Sequence, residues 1–276
     1  AVPFRSWIPD TYHGAPTPVT TFLSIAPKAA AFAILLRIFL VALGTFKPLW
    51  VVLLVAVSIL SMTYANIVAI AQRNIKRLLA YSGIAQVGNV FIGLAAGTKM
   101  GNDAILFYLL AYLFANIGAF AVVIAVSQAI GTDEIEDYRG LGRRSPFLAF
   151  AMLLFLLSLA GVPPLAGFIG KLYIFVAAIK EGLYTLIMVG LINIVISMYY
   201  YLIVVKQMYI NEPIDPSPIA ISGPMKTVIY VGLAGTLVIG IYPQPFTDWV
   251  VSATLMFANF IGPSVTVVPP VHSLGS

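Results

Sequence analysis

The chain has 276 residues, of which 61% are hydrophobic and only 9% are charged, and its formal net charge is +5. A soluble domain has about a quarter of its residues charged, so this composition excludes an ordinary soluble protein. Lysines and arginines scattered between long apolar runs cannot form a basic groove, which excludes a soluble nucleic-acid binder. The absence of cysteine excludes disulfide scaffolds and thiol-based sites. The composition predicts an all-α polytopic membrane protein.

Seven apolar segments are long enough to cross a bilayer, which requires roughly 20 apolar residues per helix. They are residues 19–43, 49–71, 78–96, 104–129, 146–178, 183–205 and 225–242. A weaker segment, 246–261, contains Asp248 and Trp249 and is predicted to be interfacial. The proline-containing tail, 262–276, is predicted to be extended or disordered.

The basic residues of the loops predict the orientation. Nine lysines and arginines lie in one alternate set of loops and three in the other: Arg5, Arg73, Lys76, Arg77, Arg139, Arg143, Arg144, Lys206 and Lys226 against Lys47, Lys99 and Lys180. The positive-inside rule then places the amino-terminal segment in the cytoplasm and the carboxyl terminus outside. We expect residues 1–18 to be a cytoplasmic loop after a missing helix, because the sequence opens like the middle of a longer chain. Residues 19–245 would form a partial transmembrane domain, and 246–276 an interfacial helix and tail.

The segment 146–178 is too long for one straight span. As a single helix its 33 residues would extend about 50 Å, well beyond the bilayer core. Its centre contains Gly161, Pro163, Pro164 and Gly167. Prolines remove backbone donors and glycines tolerate irregular backbone, so the pattern predicts a discontinuous helix whose break faces the protein interior. A simple proline kink is the alternative.

Two lysines, Lys28 and Lys171, fall about 14 Å deep in apolar spans. An ionisable residue at that depth indicates function, although a packing or assembly role is also open. All ten acidic residues lie in loops, at span ends or in the weak terminal segment. A desolvated lysine without a counter-ion releases its proton near neutral pH, which suits a proton relay. A carboxylate from a missing segment or a neighbouring subunit is the alternative.

Uncharged polar residues within or near the spans could extend a path between these lysines, although each one singly is more commonly an interhelical contact. They are Asn66, Ser82, Gln86, Asn89, Tyr108, Tyr112, Asn116, Ser158 and Asn193. The run Tyr199-Tyr200-Tyr201 near a helix end is typical of an interfacial aromatic belt.

Motifs in one order along the chain resemble the antiporter-like membrane subunits of respiratory complex I. They are VPFRSWIPD at 2–10 with GAPTPV at 14–19, APKAAAF at 26–32, NIKRLLAYS at 74–82 and SLAGVPPLAGFIGK at 158–171. Within that family the pattern is most similar to the N subunit of bacterial NADH–quinone oxidoreductase, because the related L and M subunits typically have histidine where this chain has Lys28.

The resemblance implies a fourteen-helix bundle with two inverted five-helix repeats, each with a broken helix, of which this chain would supply the second half. It matches Lys28 to the central lysine of the eighth helix and Lys171 to the lysine of the broken twelfth helix, as a proton relay. Lys76 matches a motif position at a cytoplasmic helix start. We interpret it either as a determinant of membrane topology or as a positive charge that acts at the entry of the path. The family's glutamate on the fifth helix and lysine on the seventh would lie upstream of Ala1.

The resemblance therefore implies a proton-translocating membrane subunit in the bacterial inner membrane, coupled to quinone reduction elsewhere in the complex. No cofactor is expected in this chain; NADH, FMN, iron–sulfur clusters and quinone would be bound by other subunits. Partners would be the other membrane subunits, the lipid bilayer and protons. The alternatives are a subunit of a cation/proton antiporter or membrane-bound hydrogenase, a photosynthetic-type relative that uses ferredoxin, and a non-conducting membrane scaffold.

Overall fold

The structure is a computed structural model that describes residues 7–213 and 215–259. Within these residues all regular structure is helical, apart from one β-bridge between Asn74 and Glu134. The predicted all-α class is confirmed. The helices are α1 (Ile8–Gly14), α2 (Thr17–Arg37), α3 (Lys47–Ile70), α4 (Ile75–Ala96), α5 (Lys99–Ile130), α6 (Leu141–Arg144), α7 (Pro146–Ala160), α8 (Ala166–Lys180), α9 (Tyr184–Tyr209), α10 (Gly223–Ile241) and α11 (Gln244–Asn259).

Every predicted span is helical. In the described part of the chain six helices are long and apolar enough to cross a membrane: α2, α3, α4, α5, α9 and α10. The segment 146–178 divides into α7 and α8, as the prolines and glycines predicted. Of the segment 246–261, residues 246–259 lie in α11, and the last two lie outside the described residues. The short helix α1 lies where only a loop was expected, and the tail 262–276 lies outside the described residues.

Helix α4 occupies the centre of the bundle. Every residue from Ile75 to Ala96 is buried except Arg77. The side chain of Asn74 caps its start by accepting hydrogen bonds from the backbone N–H groups of Lys76 (3.0 Å) and Arg77 (3.3 Å), which satisfies donors that a helix start leaves free. Because α4 has no exposed face, its polar side chains must find partners inside the protein.

The outer helices expose apolar faces suited to lipid or to another membrane subunit. Leu49, Val52 and Leu53 of α3 project outward, as do Val195 and Tyr199 of α9. Among the six long apolar helices, α2 is the least covered by the rest of the described chain.

Ion pairs tie together the loops at each end of the bundle. At one end, which we call the basic end, Arg77 pairs with Asp10 of α1 at 2.7 Å and Arg143 of α6 pairs with Glu212 at 3.4 Å. At the opposite end, Lys47 pairs with Glu181 at 2.9 Å. Helices α2 and α4 therefore run from the basic end to the opposite end, and α5 runs in the reverse direction, back to the basic end.

Candidate functional site

Lys28 of α2 is enclosed by α4 and α5. Its side chain is buried, with 4% of the residue exposed. Its Nζ donates a hydrogen bond to the Tyr112 hydroxyl at 2.8 Å and lies 4.8 Å from the centre of that ring. Gly83 of α4 makes room for the ammonium group, because a Cβ there would stand 2.6 Å from Nζ. A phenol oxygen and an aromatic face together stabilise a buried cation.

A small cavity adjoins the Lys28 ammonium group. Its volume is about 10 Å³, close to the space that one water molecule occupies. The cavity is lined by Lys28, Phe32, Gly83, Gln86, Val87, Val90, Tyr108, Leu109 and Tyr112. Four of these residues carry polar side chains, Lys28, Gln86, Tyr108 and Tyr112, although the accessible wall of the cavity is apolar.

Gln86 of α4 joins the cavity to the broken helix. Its Oε1 accepts hydrogen bonds from the Tyr108 hydroxyl at 2.5 Å and from Asn89 Nδ2 at 3.0 Å. Its Nε2 donates to the backbone carbonyl of Leu159 at 2.8 Å. Leu159 lies in the last turn of α7, so this amide connects α5 and α7 through α4.

Lys171 of α8 binds the carbonyl groups at the end of α7. Only 3% of the residue is exposed, and its Nζ donates to Leu159 O at 2.8 Å and to Ala160 O at 2.9 Å. The end of α7 carries the partial negative charge of a helix C-terminus, and this charge attracts a cation to the two carbonyls.

The two prolines explain why those carbonyls are free. In a continuing α-helix, each carbonyl accepts from the N–H four residues later. For Leu159 and Ala160 the corresponding residues are Pro163 and Pro164, and proline has no N–H to donate. Gly161 turns the chain away at φ 92°, a conformation that favours glycine, and the Lys171 ammonium takes the place of the missing donors.

We call the following series of groups the lysine line: Lys28, Tyr112, Tyr108, Gln86, the Leu159 carbonyl and Lys171. Hydrogen bonds join Lys28 to Tyr112, and join Tyr108 through Gln86 and the Leu159 carbonyl to Lys171; the small cavity lies between these two groups. The predicted site residues Lys28, Lys171, Tyr108 and Tyr112 therefore lie side by side. The line holds two buried ammonium groups, separated by polar side chains and a cavity large enough for one water molecule. Groups of this kind can hold a proton at either end and exchange it through the space between them.

The remaining predicted residues lie beside the line. Asn116, one helical turn from Tyr112 towards the basic end, donates to the Ser24 hydroxyl at 2.5 Å. The Ser158 hydroxyl accepts from the Gly167 N–H at 3.1 Å and so holds the start of α8 against α7. A Cβ at Gly167 would collide with the Ser158 carbonyl, which explains the glycine. Lys76 lies at the start of α4, about two turns before Gly83, and forms an ion pair with Asp133 at 2.7 Å.

The prediction of an aromatic belt at 199–201 is wrong for two of its three tyrosines. Tyr199 is exposed, but Tyr200 and Tyr201 are buried. Tyr200 donates to Asn66 Oδ1 at 3.0 Å, and Tyr201 shares a hydrogen bond with the Ser82 hydroxyl. Helix α9 continues to Tyr209, so these residues lie within the bundle rather than at its rim.

Three contributors to these contacts were not predicted from the sequence: Gly83, the Leu159 carbonyl and Asp133. For the carbonyl a signal existed, because Pro163 stands four residues after Leu159. Nothing in the local sequence indicated Gly83 or Asp133, since their partners come from distant segments.

Comparisons with known proteins identify the family of the chain. Residues 1–197 match the family described as NADH:quinone oxidoreductase/Mrp antiporter, TM. The chain is 46% identical over 258 residues to the NADH-quinone oxidoreductase subunit N of Moorella thermoacetica, an alignment that covers 93% of this chain and 54% of that relative. It is 36% identical to a chain of respiratory complex I from Thermus thermophilus with bound aureothin, with a TM-score of 0.75, covering 90% of this chain and 54% of that one.

A chain of the Mrp complex from Dietzia sp. has the same fold, with a TM-score of 0.86 at 21% identity, covering 95% of this chain and 57% of that one. The chain spans about half the length of the relatives it matches. The resemblance inferred from the sequence motifs is confirmed. The chain belongs to the family of NADH:quinone oxidoreductase/Mrp antiporter transmembrane proteins.

Proposed function

We propose that this chain is the proton-conducting part of a membrane subunit of a proton-translocating NADH–quinone oxidoreductase. The observation that carries the proposal is the lysine line, in which two buried lysines lie on either side of a small cavity and of the hydrogen-bonded pair Tyr108 and Gln86. Lys28 would pass its proton towards Lys171 when a change of charge nearby weakens its hold on that proton. The redox reaction would take place in other subunits, which would bind NADH, FMN, the iron–sulfur clusters and quinone.

The same proposal assigns the parts of the chain. Residues 19–245 would form the conducting domain, 1–18 a cytoplasmic segment, and 246–276 an interfacial helix with a tail. The basic end would face the cytoplasm, in agreement with the positive-inside rule. The exposed apolar faces of α2, α3 and α9 would contact lipid or neighbouring membrane subunits.

The test is replacement of each lysine by methionine in the full-length protein within its assembled complex. Lys28→Met and Lys171→Met should each abolish most proton translocation, measured as protons moved per electron transferred. Lys180→Met is the matched control, because Lys180 is exposed on the same helix as Lys171 and lies about two and a half turns further along, on the opposite face. Normal proton stoichiometry in both buried-lysine variants, with normal assembly, would contradict the proposal.

The family also includes Mrp antiporters, and the Dietzia structure shares this fold. A cation/proton antiporter or membrane-bound hydrogenase subunit is therefore the second candidate. The proteins that co-purify with the full-length chain distinguish these assignments. A non-conducting scaffold makes a different prediction: Lys28→Met would stabilise assembly and leave turnover unchanged, because it removes a desolvated charge.

A further inference from the structure

A second cavity, with a volume of about 250 Å³, lies at the basic end of the bundle, and none of its lining residues belongs to the lysine line. Its polar lining comes from Gln128 of α5, from Arg144, and from Ser217 and Ser222 of the segment before α10. Gln128, Ser217 and Ser222 are exposed, so the cavity opens to the surroundings of the protein. The space far exceeds what one water molecule requires and can accept part of a ligand.

Arg144 supplies a buried positive charge to this cavity. Only 9% of its side chain is exposed. Its Nε donates to the Ser217 carbonyl at 3.0 Å, and the carboxylate of Asp215 lies 3.8 Å from Nη2. Hydrogen bonds between arginine and a carboxylate are about 2.7 to 2.9 Å long, so Asp215 compensates the charge only weakly. The Asp215 carboxylate instead accepts from the Ser217 N–H at 2.9 Å and from the Ser217 hydroxyl at 2.5 Å.

The start of α10 adds backbone donors to the same cavity. Ser222 is the residue before the helix, and its side chain forms no capping hydrogen bond. Pro224 has no N–H, but Gly223 and Met225 lie in the first turn, where a helix leaves N–H groups without partners of its own. A helix start also carries a partial positive charge. The guanidinium of Arg144 and the start of α10 therefore favour an anion in one place.

The cavity lies at the level of the lipid headgroups. Arg144 stands two residues before the start of α7, Gln128 lies in the last turn of α5, and Ser222 directly precedes α10. Both α5 and α10 are long and apolar enough to cross a membrane. The ends of such helices lie in the polar region of the bilayer, outside its hydrocarbon core. The anions available at that level include the phosphate groups of the lipids themselves.

An apolar surface begins next to the cavity, on α7 and α10. Phe147, one turn after Arg144, packs its ring 4.9 Å from the ring of Tyr230 on α10. Tyr230 is exposed, as are Phe150 of α7 and Val231 of α10. Side chains of this kind contact acyl chains, and tyrosine is common where a helix enters the membrane. A molecule with a phosphate near Arg144 and hydrocarbon chains along α7 and α10 fits both features.

We propose that the cavity beside Arg144 binds the phosphate group of an anionic phospholipid from the leaflet at the basic end. The Arg144 guanidinium would donate hydrogen bonds to two phosphate oxygens in place of its weak contact with Asp215, and the start of α10 would donate to another. The acyl chains would lie against the exposed side chains of α7 and α10. Basic pockets between membrane helices bind lipid headgroups by this combination of charge and shape.

The test uses the full-length protein within its assembled complex, in phosphatidylcholine vesicles with a small fraction of phosphatidylglycerol that carries a photoactivatable headgroup. After illumination, mass spectrometry locates the attached lipid. We expect crosslinks at residues 125–129 and 217–225, and at least about tenfold fewer in Arg144→Gln, because hydrogen bonds between charged groups are lost. Arg143→Gln should leave them unchanged. It is the matched control, because Arg143 is 67% exposed and does not line the cavity.

A second variant separates lipid binding from folding, because Arg144 also holds the Ser217 carbonyl. Ser222→Asp places a negative charge beside the cavity. Aspartate is favourable at a helix start, so α10 should still form. The variant should lose the crosslinks to the same extent as Arg144→Gln. Crosslinking at the wild-type level in Ser222→Asp or in Arg144→Gln would overturn the inference.

Two further arms identify the source of the phosphate. Phosphatidylcholine with the same photoactivatable group should label these residues weakly, because its net charge is zero; equal labelling by both lipids would overturn the assignment to an anionic lipid. An excess of inorganic phosphate should leave the crosslinks in place, because the free ion has no acyl chains. Loss of the crosslinks would indicate a site for a soluble anion and overturn the lipid assignment. None of these measurements depends on proton translocation, so their outcome does not decide the function proposed above.

Discussion

Lys28 and Lys171 are buried to the same degree, but the protein binds their ammonium groups in different ways. Lys171 is held by two backbone carbonyls at the end of α7, whereas Lys28 is held by the hydroxyl and ring of Tyr112 beside a cavity. The carbonyls are fixed by the course of the chain. A tyrosine hydroxyl can rotate, and a water molecule can replace it.

This difference means that the two ends of the lysine line depend on different parts of the sequence. The Lys171 site depends on main-chain geometry, set by Pro163, Pro164 and Gly161. The Lys28 site depends on side-chain volume, set by Gly83 and Tyr112. Substitutions that leave both lysines intact can therefore disable either end separately, and we expect the change at Gly83 to be the most damaging.

Gly83→Ala should have the largest effect. The new Cβ would stand 2.6 Å from Lys28 Nζ, so the ammonium group must move away from Tyr112. Loss of the hydrogen bond from this charged group costs about 1.5 to 3 kcal/mol, and we expect at least a tenfold fall in the rate of proton translocation. The rate is measured in vesicles that contain the assembled complex. Gly223→Ala is the control, since nothing lies within 4 Å of a Cβ at that position. An unchanged rate would mean that Lys28 need not contact Tyr112.

Replacing both prolines by alanine should impair the Lys171 end by about fivefold. Pro163→Ala with Pro164→Ala restores two N–H groups that compete with Lys171 for the carbonyls of Leu159 and Ala160, and a hydrogen bond to a charged group is worth about 1.5 to 3 kcal/mol. Proton translocation per assembled complex is the measurement. Pro245→Ala, at the start of α11, should have no effect. If the double variant pumps normally, the prolines do not prepare the Lys171 site.

Tyr112→Phe should slow proton translocation by about threefold. It removes the hydroxyl that accepts from Lys28 but keeps the aromatic face, so part of the stabilisation of the cation is retained. Tyr199→Phe is the matched control because Tyr199 is exposed on α9. The comparison between the two lysines would be weakened if Tyr112→Phe were more damaging than Gly83→Ala, since the hydroxyl would then matter more than the space.

Ser158→Ala should have the smallest effect on transport and a modest effect on stability. The hydroxyl accepts the Gly167 N–H at the start of α8, and we expect its loss to lower the free energy of unfolding by about 1 kcal/mol. Thermal unfolding of the detergent-solubilised protein measures this change. Ser252→Ala, at an exposed position in α11, is the control. A large loss of transport would show that Ser158 belongs to the line itself.

Much of this architecture could be predicted from the sequence because it depends on local patterns. Runs of apolar residues predicted the spans, and the two prolines between Gly161 and Gly167 predicted the division into α7 and α8. The depth of Lys28 and Lys171 in those runs predicted burial, which the structure confirms. Lys76 lies in the first turn of α4, the helix start at which it was expected.

The partners of these residues could not be predicted, because they come from distant parts of the chain. Gln86 and Leu159 are 73 residues apart, and Lys28 and Tyr112 are 84 apart. Asp133 follows α5 in sequence. It meets Lys76 because backbone hydrogen bonds join the loop after α5 to the residues at the start of α4. The prediction for Tyr200 and Tyr201 was wrong for a related reason: composition near a predicted helix end does not indicate which neighbours a longer helix will meet.

The amide of Gln86 has a consequence for the resting membrane. Both of its ends are engaged, with the oxygen bound to Tyr108 and Asn89 and the nitrogen bound to the Leu159 carbonyl. A carboxamide neither accepts nor gives up protons near neutral pH, so it acts as an insulator between the two ammonium groups. If the chain conducts protons as proposed, a proton would have to pass around this amide and not through it, so the amide would limit leakage of protons down an electrochemical gradient.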